Sequence, residues 1–321
     1  MDEGRARGDS VTGGRTVRVL SIFLVGLLCL PAEALAQKHK DVENIGQRDI
    51  NRGSWNLYPI EKEIELGRQL ASDVEAHSRP YPDPWVQAYV NDLVQHLVRN
   101  SDAHIPFTVK VIDSDEVNAF ALPGGFLYVN TGLILEAESE AELAGLLAHE
   151  IAHVTARHGT KQASKATLFQ ILTLPLIFVG GPVGYAIQGA VGLAVPLTFL
   201  KFSRNAEREA DFLGLQYTYR AGYDPVALVD FLERLKDKDR EGGMAKVFST
   251  HPMTTDRIQR AQKGIAEVLR PQPEYVVTTS RFDEIKALIL SQQQANGLAG
   301  SPGSRGPHLR IRTQEGEDRR R

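Results

Sequence analysis

The stretch that most restricts this chain is residues 139–159, which contain the string His149-Glu150-Ile151-Ala152-His153. On a helix, residues four apart share a face, so His149 and His153 can offer both imidazoles to one metal ion. Glu150 follows the first of them, where its carboxylate can reach a water held by that metal. Two neutral nitrogens and a general base are the minimum of a zinc hydrolase. The arrangement requires a helix seated in the interior, and the local sequence supplies one. Ser139 and Glu142 form a capping box. Leu143, Leu146, Leu147, Ile151 and Val154 recur at helical spacing as an apolar stripe. Gly159 predicts a stop just past Arg157 and His158.

A catalytic zinc takes three protein ligands and keeps one position open for water. A third histidine six residues after the second would need Gly at 156 and His at 159, where this chain has Ala156 and Gly159. His158 reads instead as a histidine at a helix end, favoured by the dipole. His77, His96 and His104 show no metal spacing and read as surface or structural histidines. A better source is Ser203-Arg204-Asn205-Ala206-Glu207-Arg208-Glu209-Ala210-Asp211. Glu207 and Asp211 lie four apart, so both carboxylates point the same way. One can bind the metal while the other accepts the free N–H of a ligand histidine and fixes its tautomer. Glu209 falls off that face and reads as solvated.

The chain has 321 residues, 42% hydrophobic and 24% charged, an ordinary globular balance. A net charge of −3 argues against an electrostatically driven nucleic-acid binder. Residues 1–36 read as a signal peptide. Arg15 and Arg18 precede an apolar run from Val19 to Leu30, and Ala34-Leu35-Ala36 offers a cleavage site before Gln37. The run is too short for a comfortable membrane span. The single cysteine, Cys29, lies inside this segment after Leu28, so neither a lipoprotein box nor a thiol in the mature chain is expected. Residues 37–59 read as a polar N-terminal extension anchored by Trp55 and Tyr58. Helices are predicted from Ile60 to His77 and, after Asp83 as N-cap and Pro84, to about Arg99 with Trp85, Tyr89, Leu93 and Leu97 on one face.

Phe107–Ile112 reads as a strand. Asn118 to Asn130 reads as two strands joined by a Pro123-Gly124-Gly125 turn, which suits an edge strand; that edge either adds an extended peptide or belongs to a plain structural hairpin. Residues 166–202 are almost wholly apolar and broken by Gly180-Gly181-Pro182. They predict two buried or re-entrant helices forming a core hairpin with peripheral membrane contact, in preference to true spanning. Asp224-Pro225 starts a helix to about Lys238, and another runs from about Thr254 to Leu269. Residues 271–321 read as a tail, partly disordered, with one short helix near Phe282 to Gln293.

Three ordered motifs together resemble the HtpX and CAAX-prenyl-endopeptidase family of gluzincin metallopeptidases. They are H-E-I-A-H-V-x-x-R-H, the preceding N-A-F-A-L-P-G-G-F-x-Y-V-N-T-G-L, and S-R-x-x-E-x-E-A-D. The resemblance covers about Glu61 to Leu269. It implies an α+β, mainly helical zincin fold across residues 60–270, with a small β-sheet whose edge strand lines the active-site cleft. It also implies one Zn²⁺ held by His149, His153 and Glu207, with Glu150 as base, Asp211 behind the site, and Asn118, Ala119, Phe120 and Ala121 along the substrate. His251, before Pro252, is similar to a family motif near the active site. It could stabilise the oxyanion, occupy the open zinc position in a latent state, or be a loop histidine without chemical role, with Arg257 in support. The chain resembles the exported periplasmic branch that includes the β-barrel assembly-enhancing proteases. That implies polypeptide substrates in the envelope and the outer-membrane assembly machinery as a partner. The tetratricopeptide repeats of those relatives have no counterpart in this sequence. A chaperone-like protein with a closed, latent zinc site is the alternative.

Overall fold

The computed structural model describes residues 42–177, 202–240, 251 and 255–299. The expected signal peptide, the second limb of the apolar hairpin and the last residues of the tail lie outside them. The architecture is α+β and mainly helical. Helices α1 (Ile60–His77) and α2 (Pro84–Arg99) precede strands β1 (Thr108–Ile112), β2 (Ala119–Leu122) and β3 (Phe126–Asn130). A short α3 (Thr131–Glu136) leads into α4 (Glu140–Thr155) and α5 (His158–Ile177). Then come α6 (Arg204–Arg220), α7 (Val226–Arg240), α8 (Thr255–Val268) and α9 (Ser280–Ala299). Among the described residues no helix is long and apolar enough to cross a membrane.

The sheet order is β1-β3-β2, with β1 parallel and β2 antiparallel to β3. β2 is therefore an edge strand, as its Pro and Gly neighbours predict. The turn into β3 places Gly124 at φ 79° and Gly125 at φ 89°, a region that residues with a Cβ avoid. A side chain at Gly124 would also meet the α1 backbone, with Ile64 Cα 2.6 Å from its Cβ position.

Helix α4 is the centre of the molecule, and every residue from Glu140 to Thr155 is buried. Its start follows the capping box. Ser139 Oγ accepts from Glu142 N at 3.2 Å, and Glu142 Oε2 accepts from Glu138 N at 2.7 Å. The return bond thus goes one residue before the cap. Burying a whole helix surface requires neighbours on all sides, and α2, α6, α7 and β2 supply them. The α6 contact is closest at Gly214, where an added Cβ would stand 3.0 Å from both Cα and N of His149. Glycine there lets the two backbones touch beside the first histidine, which brings Glu207 and Asp211 alongside α4.

Four expectations need correction. Gly159 does not stop α4. The chain turns at Arg157, which takes the left-handed conformation (φ 56°), and Gly159 lies inside α5. Arg157 holds that strained turn through Glu63 Oε2 at 2.6 Å and the Tyr58 carbonyl. Trp85 is 71% exposed, so Val86, Val90 and Val94 complete the inner face of α2 with Tyr89, Leu93 and Leu97. The N-terminal extension is anchored by Val42, Ile45 and Ile50 in the core, while Trp55 is 48% exposed. The short helix expected near Phe282 to Gln293 also extends further. Helix α9 is packed down, with Phe282, Ile285 and Ile289 in the same core as α4. Each such side chain contributes about 1.5–3 kcal/mol by burial, enough to hold the helix down.

Candidate active site

His149 and His153 project from α4 toward Glu207 on α6, and His251 closes the group from the segment before α8. One ligand atom from each of these four buried residues lies within 4.8 Å of every other. His149 Nε2 and His153 Nε2 are 3.0 Å apart. Glu207 Oε2 is 3.6 Å from His149 Nε2, and its Oε1 is 3.6 Å from His153 Nε2. His251 Nδ1 is 2.8 Å from Glu207 Oε1 and 3.4 Å from His149 Nε2. Glu207 Oε2 is fully buried and accepts no well-aligned hydrogen bond, with Arg257 Nη1 3.4 Å away as its nearest cation, so its burial is only partly compensated. A cation shared among these atoms completes that compensation, and the imidazole and carboxylate donors fit a divalent metal.

The carboxylates and imidazoles of this group shift one another strongly. Burial alone would lower the pKa of His149, but Asp211 and Glu207 outweigh it and raise it to about 9. Burial would raise Glu207, yet the adjoining His149 and His251 hold it well below the carboxylate range. Burial pushes His153 far down, and its histidine neighbours push it further.

Glu150 faces the other way, toward the sheet. Its Oε2 accepts from the backbone N–H of Ala121 on β2 at 3.2 Å, and its Oε1 lies 3.4 Å from His251 Nε2. Burial raises its pKa, with His251 and His149 opposing. The edge strand thus runs beside the carboxylate. Ala119 and Ala121 are buried, Phe120 stacks on Tyr128 at 5.2 Å, and Asn118 precedes the strand with its Oδ1 buried and unpaired.

Asp211 stands behind His149, with Oδ1 3.0 Å from Nδ1, an electrostatic contact rather than a well-aligned hydrogen bond. The Arg257 guanidinium grips Asp211 through both oxygens at 2.7 and 2.9 Å and holds its pKa down against burial. Arg257 also donates to the His251 carbonyl at 3.3 Å. The support expected for His251 is therefore present, but the stronger bond, to Asp211, was not anticipated from sequence.

Two further expectations change. His158 does not end α4 but begins α5, is buried, and places Nδ1 3.0 Å from His153 Nδ1. Glu209 is not simply solvated, because its Oε2 lies 3.2 Å from His158 Nε2. Phe202 was also missed. It stacks on His153 with ring centroids 4.0 Å apart and lines a small cleft with Ala121, Leu122 and Arg157. A histidine five residues after a candidate ligand is the available signal for His158. It is legible only once the helix is known to break between them.

The class that this fold and donor set define is the zincin-like metallopeptidases. Within that class the chain belongs to peptidase family M48, whose model matches residues 80–265. It is 31% identical over 263 residues to the beta-barrel assembly-enhancing protease of Yersinia pestis, covering 78% of this chain and 53% of that protein. The protein of that name from Escherichia coli K12 is 30% identical over 236 residues, 70% of this chain and 47% of the relative. The mitochondrial metalloendopeptidase OMA1 of Arabidopsis thaliana is 35% identical over 215 residues, 64% and 43% respectively. The chain spans about half the length of these relatives.

Proposed function

We propose that the chain is a zinc endopeptidase of the cell envelope, cleaving misfolded or stalled polypeptides. The observation that carries this reading is the buried convergence of His149, His153 and Glu207 beside a Glu150 carboxylate tied to an edge strand. In this reading His149, His153 and Glu207 would hold one zinc, whose contribution would be to acidify a water and polarise the scissile carbonyl. Glu150 takes the proton from the attacking water and passes it to the leaving amine. Its raised proton affinity suits both halves of that transfer. Asp211, fixed by Arg257, keeps the His149 proton on Nδ1 and leaves Nε2 for the metal. Residues 118–121 align an extended substrate along the open edge of the sheet.

The leader-like residues 1–36 support export to the periplasm. The names of the bacterial relatives support a link to outer-membrane barrel assembly. The proposed peptidase unit covers residues 60–299, and the apolar stretch 166–202 is its proposed membrane contact.

A second reading, a latent protein, is favoured by His251, which sits between Glu207 and Glu150 with a ring nitrogen toward each. In that state His251 fills the position a substrate needs. The test of both is incubation of zinc-replete protein with an unfolded outer-membrane β-barrel polypeptide. Cleavage by the wild type, faster by at least roughly tenfold in His251→Ala, is expected if a minority open state is active. Equal rates would remove the latch. An intact substrate with both zinc-loaded proteins would reject the endopeptidase reading.

A further inference from the structure

The two candidate histidine ligands are supported differently. His149 has the carboxylate of Asp211 behind it, whereas His153 has another imidazole, His158. Two neutral imidazoles 3.0 Å apart share one proton between them, so one ring must donate and the other accept. The direction matters. If His158 donated, the His153 proton would have to sit on Nε2, the atom facing His149 Nε2 and Glu207, and could not bind metal. Glu209 decides between the two. An ionised carboxylate only accepts, so it draws the His158 proton to Nε2, 3.2 Å away. Neutral His158 then has a bare Nδ1, which accepts from His153 Nδ1–H and leaves His153 Nε2 bare.

We infer that Glu209 and His158 are positioning residues for His153, a proton-ordered chain that presents its Nε2 to zinc; this rests on the zinc reading above. Helix α6 thereby serves the site three times, with Glu207 as ligand, Asp211 behind His149 and Glu209 acting through His158 behind His153. Phe202, stacked on His153 at 4.0 Å, fixes the plane of the same ring. His158 is enclosed, with its side chain 4% exposed, so water cannot substitute freely for the chain. Glu209 is 22% exposed and can be altered without opening the core.

The test is chelator competition for zinc by the full chain, comparing wild type, Glu209→Ala, Glu209→Gln and His158→Phe. Loss of a partner behind a ligand histidine weakens metal binding about 10- to 100-fold. About tenfold weaker binding is expected for Glu209→Ala and a larger loss for His158→Phe. Glu209→Gln stays near wild type, because its amide oxygen still accepts the His158 proton. Nitrogen-15 spectra of the imidazoles, with zinc bound, should place the His153 proton on Nδ1. Wild-type zinc affinity in Glu209→Ala, or a His153 proton on Nε2, would overturn the inference. If His158→Phe fails to fold, Glu209→Ala decides alone. A wild-type chain that binds no zinc would overturn the zinc reading itself, a result distinct from equal affinities.

Discussion

Replacing Glu150 by Gln leaves zinc bound and lowers kcat/KM for peptide cleavage about 100- to 10,000-fold, the usual worth of a general acid–base. The substitution preserves shape. The Gln amide oxygen still accepts from Ala121 N–H, and the volume between α4 and β2 is unchanged. What disappears is the capacity to take and return a proton. The loss corresponds to about 3–5 kcal/mol of transition-state stabilisation. Binding should be little altered, so the effect falls on kcat. Comparing zinc content and single-turnover cleavage for the two proteins checks this. Wild-type cleavage by the variant would remove Glu150 from the chemistry.

The largest expected effect on stability lies away from the metal group. Asp102 has a fully buried side chain that accepts from Gly46 N at 2.7 Å, from Arg48, and from the Tyr217 hydroxyl at 3.1 Å. Arg48 also donates to Gln216 Oε1 at 2.7 Å. This network joins the N-terminal segment to α6, the helix that carries Glu207. Asp102→Ala removes the carboxylate that the buried Arg48 guanidinium grips and strands the Gly46 and Tyr217 donors. Breaking one side of a buried pair costs about 3–5 kcal/mol. Urea unfolding should report a loss in that range, whereas less than about 1 kcal/mol would show that water replaces the pair easily.

Much of the site was legible because it is local. The spacing of His149 and His153, the Ser139 cap, and the Asp83-Pro84 start of α2 depend on neighbours within a few residues, and the structure has them as the sequence predicts. The edge position of β2 followed from turn chemistry. What the sequence hid are relations between distant segments. Asp102 with Arg48, Arg257 with Asp211, and Glu209 with His158 are pairs whose partners no local rule can match. The misplaced end of α4 has a similar cause. Glycine was the expected terminator, but Arg157 takes the left-handed turn because Glu63, from α1, holds its guanidinium. The packing of α9 on the core was hidden because the helix has a polar composition, and only the spacing of Phe282, Ile285 and Ile289 marks the face it buries.

The central claim is a single zinc held by His149, His153 and Glu207, and metal analysis of purified protein tests it most directly. Wild type, from residue 37 onward, and Glu207→Gln should be loaded with zinc, passed over a desalting column and measured by atomic emission. About one zinc per chain in wild type and a sharply lower content in Glu207→Gln is the predicted result. Full zinc in both proteins would show that Glu207 is not a ligand, and no zinc in the wild type would contradict the site altogether.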